Sequence, residues 1–239
     1  MTIDDQAESG VLYLVATPVG NLDDITQRAI DTLKTVDIVA AEDTRHSRIL
    51  FSRHEITVNR LESYHAHNLD SRTGHLVRQL LDGKSVALIS DAGTPGISDP
   101  GSALARAAVE AGITVCPIPG ASAPMLALTA SGFPTHRFVY EGFLPRKKGR
   151  KTLIDSWKDE PRTVVFFESG LRLVKTLEQI SAALGPRKVC VAREMTKKFE
   201  EFLRGDIGEV IEELSRRGGV KGEVTVVLAP AGYLIEKSQ

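Results

Sequence analysis

Cysteine is scarce in this 239-residue chain: Cys116 and Cys190 each sit inside an apolar run, with no paired spacing. Neither a disulfide scaffold nor a zinc knuckle is expected, and a reducing, cytoplasmic setting fits. Long apolar runs are missing too. None approaches the roughly 20 residues needed to cross a bilayer, so no membrane partner is expected. The segment Met1–Gly10 is acidic and polar, unlike a signal peptide. No charge sign dominates, with 30 Lys and Arg against 31 Asp and Glu for a net charge of −1. A global basic field is therefore absent, and any polyanion contact must come from a local patch. The chain also lacks a G-x-S-x-G nucleophile elbow and a Cys–His pairing signature. What remains is an ordinary globular composition, 42% hydrophobic and 26% charged with 20 Gly and 11 Pro. Collagen-like, low-complexity and largely disordered chains are excluded. The length suits one large domain or two of roughly 100–120 residues.

Strand-like and helical stretches alternate along the chain. Val11–Ala16, Val36–Ala41, Val86–Ser90 and Thr114–Ile118 read as strands in the first half. Between them, helix faces are marked by Ile25, Ala29, Ile30 and Leu33, by Leu69, Leu76, Val77, Leu80 and Leu81, and by Ala103, Leu104, Ala107, Ala108 and Ala111. The first helix is expected to start at Leu22, with Asn21 as N-cap and Asp23 and Asp24 at the positive end of its dipole. The second half repeats the pattern. Strands are expected at Phe138–Gly142, Arg162–Phe167, Lys188–Ala192 and Val224–Leu228. Helices are expected at Ser122–Ser131, around Leu173, Val174, Leu177 and Ile180, and around Ile207, Val210, Ile211 and Leu214. This alternation means an α/β architecture. Two α/β domains are expected, 1–119 with a parallel sheet and 120–239 with a mixed sheet, and a cleft between them.

The densest run of glycine and proline is Ser90-Asp-Ala-Gly-Thr-Pro-Gly-Ile-Ser-Asp-Pro-Gly101, directly after a buried strand. Ligands of open α/β sheets bind outside the carboxyl ends of strands, where loops present backbone amides. Gly93 and Gly96 permit close approach of backbone to a ligand, and Asp91 offers an acceptor for ribose or ammonium groups. The spacing matches neither a dinucleotide fingerprint nor a P-loop. A nucleotide-like ligand held without pyrophosphate contacts is the better reading; a purely structural strand–helix connection is the alternative.

Five runs occur in order: Val15-Ala-Thr-Pro-Val-Gly-Asn-Leu22, Ala40-Ala-Glu-Asp-Thr-Arg45, Leu88-Ile-Ser-Asp-Ala-Gly-Thr-Pro-Gly-Ile-Ser-Asp-Pro100, Pro117-Ile-Pro-Gly-Ala-Ser122 and Arg193-Glu-Met-Thr-Lys-Lys-Phe-Glu200. Together they resemble the bacterial ribosomal RNA small subunit methyltransferase I family, a branch of the tetrapyrrole (corrin/porphyrin) methylase superfamily. The resemblance runs from about residue 10 to residue 230. It implies two α/β domains with S-adenosyl-L-methionine in the interdomain cleft, and a homodimer. It also implies 2′-O-methylation of a decoding-centre cytidine, cytidine 1402, in 16S rRNA of the small ribosomal subunit. In the wider superfamily the first loop is richer in glycine, whereas Thr17-Pro-Val-Gly-Asn21 has only Gly20. Carried over by position, Pro18 and Gly20 line the cleft, and Asp91, Gly93, Thr94 and Ser98 cradle the cofactor. Ser122 and Ala123 close over it, and Phe167 offers an apolar wall.

Further residues are candidates for the RNA side of the reaction. Arg146, Lys147, Lys148, Arg150 and Lys151 place five cations in six residues, a plausible phosphate-binding patch in a chain of near-zero net charge. A solvated face is the alternative, and RNA contact is the reading taken here. Tyr140 and Phe143 sit just upstream and suit either a core or a stacked base. Glu42, Asp43 and Arg45 follow a strand; they form either a helix cap with a local salt bridge or a group that orients the ribose and meets phosphate. Glu194 and Lys197 are alternative helpers for loss of the hydroxyl proton, and sequence does not choose between them. His65 and His67 lack a matching carboxylate or cysteine cluster, so no metal site is expected there. Trp157 reads as partly buried packing. Two other readings stand beside the RNA methyltransferase: a tetrapyrrole methyltransferase, against which the basic segment argues, and a non-catalytic ribosome-binding factor with a vestigial pocket.

Overall fold

Five short strands, two of them wholly apolar, form the parallel sheet of a first unit, Met1–Ser122. The structure is a computed structural model and describes residues 10–233. Apart from Gly10, the N-terminal segment read as unlike a signal peptide lies outside the described residues. The strands are β1 (Val11–Val15), β2 (Ile38–Ala41), β3 (Leu61–Ser63), β4 (Val86–Ile89) and β5 (Thr114–Ile118). Their order across the sheet is β3-β2-β4-β1-β5, with every pairing parallel. β2 and β4 are buried at all four positions, as strands covered on both faces must be.

Helices α1 (Gln27–Thr35) and α2 (Thr44–Arg53) cover one face, packing Ala29, Leu33, Leu50 and Phe51 onto Val15, Val39, Ala87 and Ile89. Helices α3 (Leu69–Leu81) and α4 (Gly101–Glu110) cover the other, with Leu76, Leu80, Leu104 and Ala108 on Leu12, Ile38, Val86 and Leu88. The chain therefore leaves β1 toward one edge of the sheet and leaves β4 toward the other. The winding direction reverses between these two neighbours, and the carboxyl ends at such a reversal are where open α/β sheets bind ligands.

The helix expected from Leu22 begins later. Leu22–Asp24 is a single 3-10 turn, in which the Asn21 side chain accepts from the Asp23 amide; α1 starts at Gln27, capped by Thr26, whose hydroxyl accepts from Ala29 N. A threonine three residues before an alanine outcompetes the Asn-Leu-Asp-Asp stretch, which closes on itself as a turn. α2 and β3 carry no clear apolar period in the sequence and were not expected.

The second unit, Ala123–Gln239, has a mixed sheet in the order β6-β7-β10-β8-β9. Its strands are β6 (Phe138–Phe143), β7 (Thr163–Ser169), β8 (Lys188–Arg193), β9 (Glu201–Asp206) and β10 (Glu223–Leu228). Only β6 and β7 pair in parallel. Side chains alternate across the sheet as strand geometry requires. Val164, Phe166, Val189, Val191 and Val226 face α7 (Gly170–Leu184) and α8 (Ile207–Arg216). Val165, Cys190, Ala192 and Val227 face α5 (Ala123–Ser131). Burial raises the Cys190 thiol to about 11, so this cysteine is an apolar packing group. Trp157 is more buried than expected, at 2% exposure, and stacks on Phe166 with ring centroids 5.6 Å apart. α6 (Arg150–Ser156) and β9 are further elements that sequence reasoning did not place.

Candidate active site

In the first unit, backbone and short side chains tie together the loops that follow β1, β4 and β5. Thr17 and Gly93 exchange amide hydrogen bonds at 2.9 and 3.0 Å. The Thr17 hydroxyl donates to Ser90 O at 3.0 Å, and the Thr94 hydroxyl donates to Ala121 O at 3.0 Å. Gly120 backs onto Ala16, where an added Cβ would lie 2.8 Å from the Ala16 Cβ. Gly120→Val is accordingly expected to cost about 1–3 kcal/mol by overpacking. Thermal unfolding measures it, and an unchanged midpoint would show that the two loops do not meet.

Asp91 joins the loop after β2 to this group, because its Oδ1 accepts from the Asp43 amide at 2.9 Å. Gly93 holds φ +81°, a conformation that side chains rarely adopt, so any substitution there strains the backbone before it meets a ligand. Ser98 shares the left-handed region at φ 62°. Asp99, which sequence reasoning passed over, shapes the loop: its Oδ1 accepts from Gly96 N at 2.7 Å and Gly101 N at 2.6 Å. An acid directly before Pro-Gly at a helix start was the available signal. Pro18 and Asp91 line a small pocket with Thr17, His46, Ser47 and Ser90, whereas Gly20 is exposed. Ser122 ends the unit, half-buried.

The acids after β2 differ sharply. Asp43 is the N-cap of α2, and its carboxylate accepts from the Arg45 amide at 2.8 Å and from the Arg45 guanidinium at 3.1 and 2.7 Å. These hydrogen bonds hold the Asp43 carboxyl far below the usual carboxylate range. The cap-and-salt-bridge reading of Asp43 and Arg45 is thus the one observed. Glu42 goes the other way. Burial pushes its carboxyl up, and the negative charges of Asp91 and Asp99 add to the rise.

In the second unit, Ala123 opens α5 and Phe167 lies near the end of β7. Phe167 forms an aromatic group with Tyr140 and Phe143, at centroid distances of 5.6 and 5.2 Å. Phe143 remains 43% exposed. Glu194 has φ 48° in the loop after β8, and Lys197 Nζ lies 3.4 Å from its Oε1.

The basic segment divides. Arg146, Lys147 and Lys148 are exposed, and Lys151 is exposed while paired with Asp155 at 2.6 Å. Arg150, expected at a phosphate, turns inward instead. Its guanidinium donates to Gln179 Oε1 (2.8 Å), Pro145 O (3.1 Å), Glu168 Oε2 (3.3 Å) and the Thr176 hydroxyl (2.6 Å). Glu168, fully buried, also accepts from Ser169 N and Arg172 Nε, both at 2.8 Å. The reason is electrostatic: a buried carboxylate at the end of β7 needs cationic donors, and the first residue of α6 is within reach. His65 and His67 meet edge-on at 5.9 Å between centroids.

The tetrapyrrole (corrin/porphyrin) methylase family matches residues 11–211. A ribosomal RNA small subunit methyltransferase I from Micromonospora olivasterospora is 50% identical over 226 residues, 94% of this chain and 72% of the relative. The protein of the same name from Thermotoga maritima is 46% identical over 220 residues, covering 92% of this chain and 98% of the relative. The chain belongs to the ribosomal RNA small subunit methyltransferase I family. This methyltransferase also shares its fold with a solved uroporphyrin-III C-methyltransferase from Thermus thermophilus, complexed with S-adenosylhomocysteine. The TM-score is 0.63 at 21% identity, covering 92% of this chain and 97% of that one. Among the described residues no helix of the methyltransferase is long and apolar enough to cross a membrane.

Proposed function

We propose that the chain transfers a methyl group from S-adenosyl-L-methionine to the ribose 2′-hydroxyl of a decoding-centre cytidine in 16S rRNA, acting in the cytoplasm as a homodimer. The observation that carries this reading is the convergence of the loops after β1, β2 and β5 on residues 90–94 of the loop after β4, at the winding reversal of a parallel sheet. Membership in a family named for small-subunit rRNA methylation supplies the substrate class.

The loop chemistry fits an adenosyl amino acid. Glycine at position 93 leaves the strand end uncovered by a side chain, Pro18 offers an apolar edge, and Asp91 offers a carboxylate oxygen beyond the one that the Asp43 amide engages. Two acids side by side, Glu42 and Asp91, suit hydroxyl and cationic groups and would repel the pyrophosphate of a dinucleotide. S-adenosyl-L-methionine, when bound, supplies a methyl group on a sulfonium. The chain's own task is then to align an oxygen with that methyl and remove its proton. In-line alignment supplies most of the acceleration, and a base adds about 10²–10⁴-fold. Of the candidates, Asp43 is a weak base, because it caps α2 and accepts from Arg45, and Lys197 is paired with Glu194. Glu42, whose proton affinity is raised, is the group we assign to take the hydroxyl proton. Arg146, Lys147, Lys148 and Lys151 are assigned to RNA phosphates, with Arg150 anchoring the segment that carries them.

The reading is tested by supplying radiolabelled cofactor with 30S subunits from a strain lacking the activity, beside a tetrapyrrole acceptor. Label in rRNA alone supports it; label in the tetrapyrrole alone overturns it. Asp91→Ala is expected to weaken cofactor binding by about 1–3 kcal/mol, measured by calorimetry. Unchanged affinity would place the cofactor away from residues 90–101. No cofactor binding by the wild type would favour a ribosome-binding factor.

A further inference from the structure

The basic segment encloses a space as well as carrying charge. Between loop 145–149, α6 and α7 lies a cavity of about 540 Å³, within the size range of small-molecule sites. Its lining has two characters. Arg146, Lys147 and Lys151 stand at an exposed rim, while Ile154, Ala182 and Ala183 supply an apolar floor. Gln179 completes the wall with its side-chain oxygen already accepting from Arg150, so the amide donor is what it has left to offer. Asp155 is the single acid in the lining, and Lys151 neutralises it at 2.6 Å.

A solvated charge run requires no concavity, and a phosphate site requires no apolar floor. The two together match a nucleotide: cations for phosphate, and flat apolar surface with arginine and lysine stems for a base. We propose that this cavity receives an unpaired nucleotide of the rRNA substrate, its phosphate at the cationic rim and its base on the floor formed by Ile154, Ala182 and Ala183. The proposal rests on the rRNA reading above and deepens it. The segment becomes a docking subsite that grips one extruded nucleotide, beyond a diffuse attraction for the backbone. Arg150 has a definite part in this. Its bonds to Glu168 on β7 and Thr176 on α7 fix the start of α6 against both elements, which sets the position of one cavity wall. Single-stranded RNA is commonly held by cations along its phosphates with its bases laid on side-chain surfaces; here that surface is aliphatic rather than aromatic.

The test separates floor from rim. Ala182 is exposed on α7, so Ala182→Trp fills the cavity without altering charge, and Ala182→Ser is its control. With 30S subunits as substrate, Ala182→Trp is expected to raise KM about tenfold, the loss of one base's apolar burial. The thermal midpoint, the cofactor affinity and the slope of log affinity against log salt should all hold. Ala182→Glu should reach the same KM by repulsion, which guards against misfolding of the tryptophan variant. The double variant Arg146→Ala and Lys147→Ala should instead lower the salt slope by roughly 0.7 per lost contact. Wild-type KM in both Ala182→Trp and Ala182→Glu overturns the proposal. So does a KM raised on 30S subunits with affinity for protein-free 16S rRNA unchanged, since a ribosomal protein would then be the occupant. If the wild type puts no label into rRNA, the underlying reading fails, and the wild-type control shows this before any variant is compared.

Discussion

Glu42→Gln is expected to lower kcat by about 10²–10⁴-fold while leaving cofactor affinity close to that of the wild type. The amide keeps the shape of the side chain and removes its ability to take a proton. The pH profile gives an independent reading of the same group. Burial and the charges of Asp91 and Asp99 raise the Glu42 carboxyl, and a base works only when ionised. Activity should therefore fall with decreasing pH in a limb lying above the ordinary glutamate range. Asp91→Asn removes one of the two neighbouring charges and should move that limb to lower pH. A Glu42→Gln enzyme with wild-type kcat would transfer the assignment to the Glu194 and Lys197 loop.

The second large effect concerns stability. Glu168→Ala is expected to destabilise the second unit by about 3–5 kcal/mol, because it leaves Arg150 and Arg172 without their shared carboxylate. Glu168 is fully buried, while Arg150 keeps 12% and Arg172 36% side-chain exposure; water reaching Arg172 draws the cost toward the lower figure. Urea unfolding measures it. Burial alone would push the Glu168 carboxyl up, but hydrogen bonds from Ser169, Thr176 and Arg172 outweigh it and hold the group below the usual glutamate value. A depressed carboxyl stabilises the fold above its unfolded pKa and loses that contribution as pH falls through the folded value. Wild type should thus lose stability below about pH 4.5, and Glu168→Ala should lose less over the same window. Equal acid sensitivity in both proteins would contradict the account of this cluster.

The fold was legible where burial forces a pattern. β2 and β4 are buried on both faces and read as unbroken apolar runs, while α1, α3 and α4 show their stripes plainly. Elements held by polar contacts escaped. α2 starts from the Asp43 cap and buries Ser47 beside Leu50 and Phe51, so its apolar period is short. α6 begins inside a run of cations, and only the buried Glu168, eighteen positions further on, shows why Arg150 belongs to a helix rather than to solvent. The loop at 90–101 was recognisable from its glycines and prolines, but its tie to Asp43 is a backbone contact across 48 positions that no local spacing encodes. Identity of the ligand came from resemblance between ordered loops; the residues alone spoke only of a strand-end site.

The most direct test of the central claim is the chemical position of the transferred methyl. Subunits labelled by the wild-type protein should yield, after digestion of their 16S rRNA to nucleosides, a cytidine whose methyl lies on the ribose. Before complete digestion the adjoining phosphodiester should resist alkali, because a blocked 2′-oxygen cannot attack it. Label on a base, or label released from the RNA by alkali at every position, would contradict 2′-O-methylation and remove the need for Glu42 as the hydroxyl's base.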